Sequence, residues 1–212
     1  MPHPARPVPP GLVSDMTVLE GLYGPPGAPS LAKVSDRLTQ AYRAWLSAAP
    51  FFALGSVGAG GLDVSPRGDA GSAVTILDDR TLLIPDRRGN NRIDSLRNII
   101  ADPRVACMFM IPGVNECLRI NGRAAISIDA DLCQRLAMEG QLPQSVIWLE
   151  IDEVYFQCAR ALIRSDLWAQ GARGRPDGVP TAGQMTAEAS NGAEGGPAYD
   201  AALPERQRRT LW

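Results

Sequence analysis

Histidine is nearly absent from this chain of 212 residues, because His3 is the only one. One histidine in a proline-rich stretch argues against most mechanisms with a histidine base and against most zinc sites. Lysine is equally scarce: Lys33 stands alone among 21 basic residues, and the others are arginines. Arginine suits phosphate, since its planar guanidinium donates two parallel hydrogen bonds. A biased genome composition explains the excess of arginine equally well.

Cysteines are few and have no metal-binding spacing. The four are Cys107, Cys117, Cys133 and Cys158, and no two of them form a CxxC pair. Three of them lie in apolar or periodic segments. We therefore expect buried free thiols in a reducing compartment.

Neither sign of charge is in large excess, and no long hydrophobic run occurs. The 21 basic and 23 acidic residues give a net charge of -2, which excludes a general electrostatic grip on nucleic acid or an anionic membrane. No apolar run approaches the length of a membrane span, and residues 1–30 lack the pattern of a secretion signal. We expect a cytoplasmic protein with one globular domain.

The chain divides by composition into three parts. Residues 1–30 are rich in proline and glycine and predict an extended N-terminal extension. Residues 31–170 carry regular hydrophobic patterns. Residues 171–196 predict a loose connection, and the remainder to residue 212 is compatible with a docked terminal helix.

The periodic part begins with a helical pattern and continues with strands. Apolar residues recur every three or four positions after Ser30, which would cap this helix, and Pro50 would end it. Two further helices are predicted at 93–101 and 129–139. Apolar runs bounded by turn residues predict strands at 51–57, 62–68, 73–77, 81–85, 105–111, 116–128 and 145–158. Six or seven strands joined by tight turns favour an antiparallel barrel over a Rossmann sheet.

The strongest chemical signal is the loop PDRRGNNR at 85–92. It places three arginines and two asparagines directly before a helix, where backbone amides and guanidinium groups together bind phosphate. Gly89 allows close approach of the backbone, and Ser95 adds a hydroxyl group in the first turn. A solvated polar loop is the plainer interpretation of the same residues.

Two weaker signals accompany this loop. Arg67 in the segment DVSPRG lies at the end of a strand on a neighbouring hairpin, and it would share the phosphate if the two loops converge. Arg119 lies among apolar residues of a strand and needs an anion, an aromatic face or a path to solvent. Arg160, Arg164 and Trp168 follow at spacings of four, as on one side of a surface helix.

These stretches resemble the FMN-dependent branch of the pyridoxamine 5'-phosphate oxidase-like split barrels. The resemblance covers roughly residues 19–170, with a weaker likeness in the tail to Trp212. The matching segments include DVSPRGD, LLIPDRRGNNRIDSLRNIIADPRVACMFMIPG, ECLRINGRA and ARALIRSDLW. The family implies a mainly β fold with flanking helices, in which a six-stranded antiparallel split barrel forms a homodimer with FMN at the subunit interface.

The resemblance also implies a set of cofactor-binding residues. The phosphate and the polar edge of the flavin would contact Ser65, Arg67, Pro85, Asp86, Arg87, Asn90, Asn91, Arg92 and Ser95. Cys117 and Arg119 would lie on the strand that crosses the cofactor. Gln157, Arg160, Arg164, Ser165 and Trp168 would reach over from the other subunit. Cys117, Gln157 and Arg160 depart from the residues usual in the family, so the phosphate site is better matched than the groups around the flavin ring.

The function that follows is an FMN-dependent oxidoreductase, with hydride transfer at flavin N5 to or from a small organic substrate. Arg164 of the partner subunit would stabilise the reduced ring. The alternatives are pyridoxamine 5'-phosphate oxidase proper, a haem-binding split barrel, a non-catalytic flavin-binding or sensing protein, and a deazaflavin-dependent reductase. We expect no metal, nucleic-acid or membrane partner. A dimer would also cover Phe109, Met110 and Trp148.

Overall fold

A computed structural model describes residues 10–171 and 173–211, and the chain forms two compact units that divide after Val34. The first unit contains helices α1 (Met16–Tyr23) and α2 (Ala28–Ala32). Asp15 caps α1 by accepting a hydrogen bond of 2.8 Å from the Thr17 amide. Neither helix buries a residue, and their presence shows that the extended conformation predicted for residues 1–30 is wrong where these helices form.

The single helix predicted after Ser30 is wrong. Helix α2 ends at Ala32, and the next helix, α3, spans Gln40–Ser47 with Thr39 as its cap. Between them the backbone of Ser35 exchanges two hydrogen bonds with Val154. This bridge holds the segment around Ser35 extended. Helix α3 therefore begins later, where the Thr39 hydroxyl oxygen accepts a hydrogen bond from the Tyr42 amide.

A seven-stranded antiparallel sheet forms the body of the second unit. Its order is β2-β1-β5-β6-β7-β4-β3. The strands are β1 (Phe51–Gly58), β2 (Gly61–Gly68), β3 (Thr75–Ile76), β4 (Thr81–Pro85), β5 (Arg104–Met110), β6 (Cys117–Ser127) and β7 (Val146–Gln157). The predicted antiparallel arrangement is confirmed, whereas the six strands that the resemblance implied are one too few. The additional strand, β3, makes only two residue pairs with β4.

One face of this sheet builds the core. Phe52 of β1 and Phe109 of β5 are fully buried and stack with their ring centroids 4.6 Å apart. Helices α3 and α4 (Asp94–Ala101) add Leu46 and Ile99 to the same cluster. Phe109 therefore needs no cover from a partner, which corrects the expectation from the sequence. Trp148 is half-buried against a smaller cluster around Leu83.

The remaining helices follow the sheet strands in the chain. They are α5 (Ala130–Arg135), α6 (Arg160–Ser165), α7 (Leu167–Gly171), α8 (Ala182–Ala189) and α9 (Gly196–Arg209). Helix α8 contradicts the loose connection predicted at 171–196. Thr181 and Gln184 form a capping box at its start, and Asp200 of α9 accepts a hydrogen bond of 2.7 Å from the Gly183 amide. No helix among the described residues is long and apolar enough to cross a membrane.

The pairing of β6 with β7 depends on Gly122. The register shifts between Asn121 and Gly122, and a Cβ atom at Gly122 would lie 2.0 Å from the Glu150 carbonyl oxygen. Because this neighbour is backbone in the middle of the sheet, it cannot yield without disturbing the strand pairing.

Replacing Gly122 with alanine should therefore lower the free energy of unfolding by about 2–4 kcal/mol, measured by urea denaturation. Gly60→Ala is the matched control, since a Cβ atom there has no neighbour within 4 Å. We expect it to change the free energy of unfolding by less than about 1 kcal/mol. Equal effects of the two substitutions on the free energy of unfolding would contradict the role given to Gly122 at the register shift.

Candidate functional site

A cleft of about 480 Å³ lies where the end of β2, the segment after β4 and the start of α4 come together. All of the residues predicted for the phosphate and the polar edge of the flavin line this cleft: Ser65, Arg67, Pro85, Asp86, Arg87, Asn90, Asn91, Arg92 and Ser95. The two arginine-bearing loops thus converge, which was the condition for a shared anion site.

Two ion pairs cross between β2 and the segment after β4. Arg67 Nη1 donates to Asp86 Oδ1 at 2.6 Å, and Arg87 Nη2 lies 2.6 Å from Asp69 Oδ2. Each side contributes one arginine and one aspartate. We call the four residues the crossed ion pairs. They join two parts of the sheet that share no backbone hydrogen bonds, because β2 and β4 are not neighbours in the strand order.

The two arginines of the crossed ion pairs are satisfied to different degrees. Arg87 donates from Nε to Asp69 Oδ2 at 2.8 Å and from Nη1 to the Leu136 carbonyl oxygen at 2.7 Å. Arg67 Nε, in contrast, is buried and has no hydrogen-bond partner within the described part of the chain. A buried donor without an acceptor lowers the stability of the fold, so Arg67 Nε is the donor that an anion could satisfy. Arg87 has its donors bound to the protein and stabilises the fold.

The start of α4 has the geometry of an anion site. Ile93 precedes the helix in the left-handed conformation, with φ of 52°, and no side chain caps the first turn. The left-handed conformation of a β-branched residue lowers the stability of the folded state by about 1–3 kcal/mol, and such strain is typical of functional sites. The first amides of a helix have no partner within the helix and point outward. They therefore remain available at the wall of the cleft.

Polar side chains surround this helix start. Asn90 Oδ1 accepts from the Arg92 amide at 3.1 Å and shapes the turn. The Ser95 hydroxyl group is buried and donates to Asp63 Oδ2 at 3.4 Å, a long and weak bond. Arg92 is exposed and paired with Asp94 at 2.7 Å, and this hydrogen bond raises the pKa of Arg92.

Seven other predicted residues do not line this cleft: Cys117, Arg119, Gln157, Arg160, Arg164, Ser165 and Trp168. Cys117 begins β6 and pairs with Gln157 at the end of β7, and Arg119 stacks over the Tyr155 ring at 5.1 Å. The last four lie on α6 and α7, where the Trp168 indole donates to the Val114 carbonyl oxygen at 2.9 Å. The assignment of five of these residues to the site of a second subunit stays a prediction: Gln157, Arg160, Arg164, Ser165 and Trp168.

Sequence reasoning missed three residues of this region. Asp69 anchors Arg87, and its position two residues after Arg67 in a strand-like segment was the available signal. Asp63 adds a carboxylate to the wall of the cleft, which Asp86 and Asp94 also line. Leu211 also lines it, and nothing in the sequence pattern of the tail pointed there.

The thiols and carboxylates provide no other obvious chemistry. Cys107, Cys117 and Cys133 are buried free thiols, as predicted, and Cys158 is exposed. Burial raises the pKa of Cys107 to about 12, and burial together with the nearby Glu116 carboxylate raises the pKa of Cys117. Both thiols are therefore protonated and poor nucleophiles at neutral pH. Among the residues described, no cluster of histidine, cysteine and carboxylate side chains could hold a metal ion.

Comparison with known families agrees with this geometry. The profile of the family described as pyridoxamine 5'-phosphate oxidase matches residues 38–158, more than half of the chain. The chain belongs to this family. The matched region of this family member includes the sheet, the crossed ion pairs and α4, whereas the unit before Ser35 and helices α6 to α9 lie outside it.

Solved structures similar to this family member include a HupZ variant from Group A Streptococcus, with 14% identity and a TM-score of 0.47 over 56% of this chain and 98% of that one. A protein from Lactobacillus delbrueckii, a candidate pyridoxamine 5'-phosphate oxidase, has 23% identity and a TM-score of 0.46 over 57% and 95% of the two chains. An F420 reductase has 18% identity and a TM-score of 0.40 over 57% and 98%. No curated protein sequence matches the chain.

The crossed ion pairs predict a large effect of Asp69 on stability. The Asp69 side chain is only 4% exposed, so Asp69→Asn leaves the Arg87 guanidinium without its counter-charge. We expect the free energy of unfolding to fall by about 2–4 kcal/mol in urea denaturation. Glu205→Gln, which breaks the exposed pair with Arg208, should change it by less than about 1 kcal/mol. A stable Asp69→Asn variant would show that the pair contributes little.

Proposed function

We propose that the protein is an FMN-binding flavoprotein, acting as an FMN-dependent oxidoreductase, and that the cleft takes the phosphate of FMN. The observation that carries the proposal is the unpartnered Arg67 Nε in a cleft that also receives the uncapped start of α4. Membership of a family whose members often bind a flavin supports it.

Different residues of the cleft would contact different sides of the phosphate. Arg67 would donate from Nε, and the amides at the start of α4 would donate along the helix axis. Ser95 lies close enough to exchange its weak bond with Asp63 for one to a phosphate oxygen. Asn90, Asn91 and Arg92 would close the exposed side. Arg87 would act on the ligand only by fixing the segment after β4.

When bound, FMN would supply hydride transfer at its N5 atom, and the protein would supply position and electrostatics. The segment from Ile84 to Arg87 runs from the end of β4 along the cleft, with Ile84 buried and Asp86 half-buried. This segment would therefore lie along the polar edge of the ring, as the resemblance implies.

A non-catalytic flavin-binding protein is the second candidate, and one observation favours it. Each carboxylate that lines the cleft already has a partner: Asp63 has Ser95, Asp86 has Arg67 and Asp94 has Arg92. No carboxylate is therefore poised as a general base. Steady oxidation of reduced nicotinamide by oxygen in the presence of the flavoprotein would identify an enzyme, and its absence would favour the binding role.

We also propose a homodimer, which is typical of the family. The outer face of β2, β1 and β5 exposes apolar side chains that a partner would cover: Phe51, Leu62, Val64 and Met108. Leu62 is 88% exposed. A stable interface buries about 1,000 Å² or more, and this face provides the apolar centre that such an interface needs.

The cofactor proposal predicts a yellow protein with flavin absorption bands and an FMN mass after release. Arg67→Ala should weaken FMN binding by about 10- to 100-fold in a fluorescence titration, because a charge-assisted contact to the phosphate is lost. Riboflavin, which has no phosphate, should bind both proteins alike. Arg97→Ala is the matched control, since Arg97 is exposed on α4 outside the cleft. Full FMN affinity in both Arg67→Ala and Arg92→Ala would refute the site.

The dimer proposal predicts that the wild-type protein sediments as a dimer at micromolar concentration. Leu62→Glu should shift it to the monomer, because a carboxylate would be buried at the apolar centre of the interface. Ile128→Glu changes an apolar residue that is 82% exposed and lies after β6, away from this face, and should leave the dimer intact. A wild-type monomer, or a dimer in Leu62→Glu, would overturn the proposal.

A further inference from the structure

Asp86 forms an ion pair with Arg67, the arginine that would bind an anion in the cleft. Arg67 and Asp86 both line the cleft, and their side chains are 17% and 18% exposed. The carboxylate takes Nη1 of Arg67 and leaves Nε without a partner. Part of the guanidinium is therefore occupied by the protein itself before any ligand arrives.

An anion that enters this cleft must compete with that carboxylate. It also meets Asp63 and Asp94, so the cleft walls carry three aspartates beside the four arginines Arg67, Arg87, Arg88 and Arg92. A singly charged carboxylate or halide ion offers Arg67 no more than Asp86 already provides. A phosphate monoester dianion offers a second charge and further acceptor oxygens for Nε and the amides of α4.

We propose that Asp86 sets the anion selectivity of the cleft: it holds Arg67 in the absence of ligand and yields it only to a phosphate monoester dianion. The proposal deepens and rests on the proposed function, since it takes the FMN phosphate as the ligand. Asp86 thus lowers the affinity for every anion, and it lowers the affinity for singly charged anions most.

The other carboxylates of this region cannot act in the same way. Asp69 is almost fully buried and holds Arg87, whose remaining donors are bound to the protein. Asp94 pairs with Arg92, and both side chains are largely exposed to water. Solvent screens that exposed pair, so releasing Arg92 from it changes little. Among the carboxylates that the structure describes at this cleft, Asp86 is the one paired with an arginine whose buried Nε has no partner.

The test compares Asp86→Asn and Asp86→Ser with Asp94→Asn, each of which removes one negative charge from the cleft wall. FMN and riboflavin are titrated against each variant by fluorescence, and two Asp86 variants guard against a folding defect in one. We expect both Asp86 variants to bind FMN about tenfold more tightly and riboflavin within about twofold of wild type. Asp94→Asn should tighten FMN by less than about threefold.

Several results would overturn the inference. Unchanged or weaker FMN binding in both Asp86 variants would show that Asp86 does not compete for Arg67. If Asp94→Asn raised the FMN affinity as much as the Asp86 variants do, the change in net charge alone would explain the result. If riboflavin affinity rose as much as FMN affinity, Asp86 would not act on the phosphate.

Failure of the proposed function is a separate result, recognised when the wild-type protein binds no FMN. Inorganic phosphate and acetate then replace the flavins, and the readout is the shift in Tm that each anion produces. The inference predicts that acetate stabilises the Asp86 variants but not the wild type or Asp94→Asn. Identical responses of all four proteins to acetate would overturn it.

Discussion

The crossed ion pairs are the interaction on which the rest of this structure depends. The strand order leaves β2 at one edge of the sheet and β4 near the other, with no backbone hydrogen bonds between them. Arg67 and Asp86, with Arg87 and Asp69, join the two at a place largely shielded from solvent. Charges in such a place are costly unless they are paired, so each group needs its partner. Their pairing joins β2 to the segment after β4 at the cleft, and Ser95 at the start of α4 lies at the same cleft and donates to Asp63.

The arginines of the two ion pairs differ in how many of their donors are bound, and this difference assigns Arg87 a structural role and Arg67 a role in anion binding. Arg87 is bound on three nitrogen atoms and holds the segment after β4. Arg67 is bound on one nitrogen atom, and its Nε faces no acceptor within the described residues. The same residue type thus stabilises the segment after β4 on one side of the cleft and leaves a donor for an anion on the other. Burial and the nearby Glu116 carboxylate raise the pKa of Cys117, so its thiol is protonated and a poor nucleophile at neutral pH.

Local patterns in the sequence predicted most of the sheet, and they made a shared phosphate site conditional on the convergence of the two arginine-bearing loops, which the structure shows. Strand periodicity located β1, β2, β4, β5, β6 and β7, and the residues of 85–92 reached the cleft because the loop leads directly into α4. Features that depend on distant contacts were missed. The break before α3 comes from the bridge between Ser35 and Val154, and the stacking of Phe109 on Phe52 removes its need for a partner.

Two further misses have the same physical origin. Helix α8 lies in a stretch rich in glycine and alanine, whose weak pattern hides the contact of Gly183 with Asp200. The sequence also marked Arg87 as a ligand residue, since composition alone does not reveal that Asp69 already holds it. A short polar loop therefore predicts where a site lies better than it predicts which of its side chains are still available.

The most direct test of this account is a crystal structure of the protein grown with FMN. We expect the phosphate to lie within hydrogen-bonding distance of Arg67 Nε and of the first amides of α4, with Arg87 still paired to Asp69. A phosphate bound elsewhere, with Arg67 still held by Asp86 alone, would contradict it.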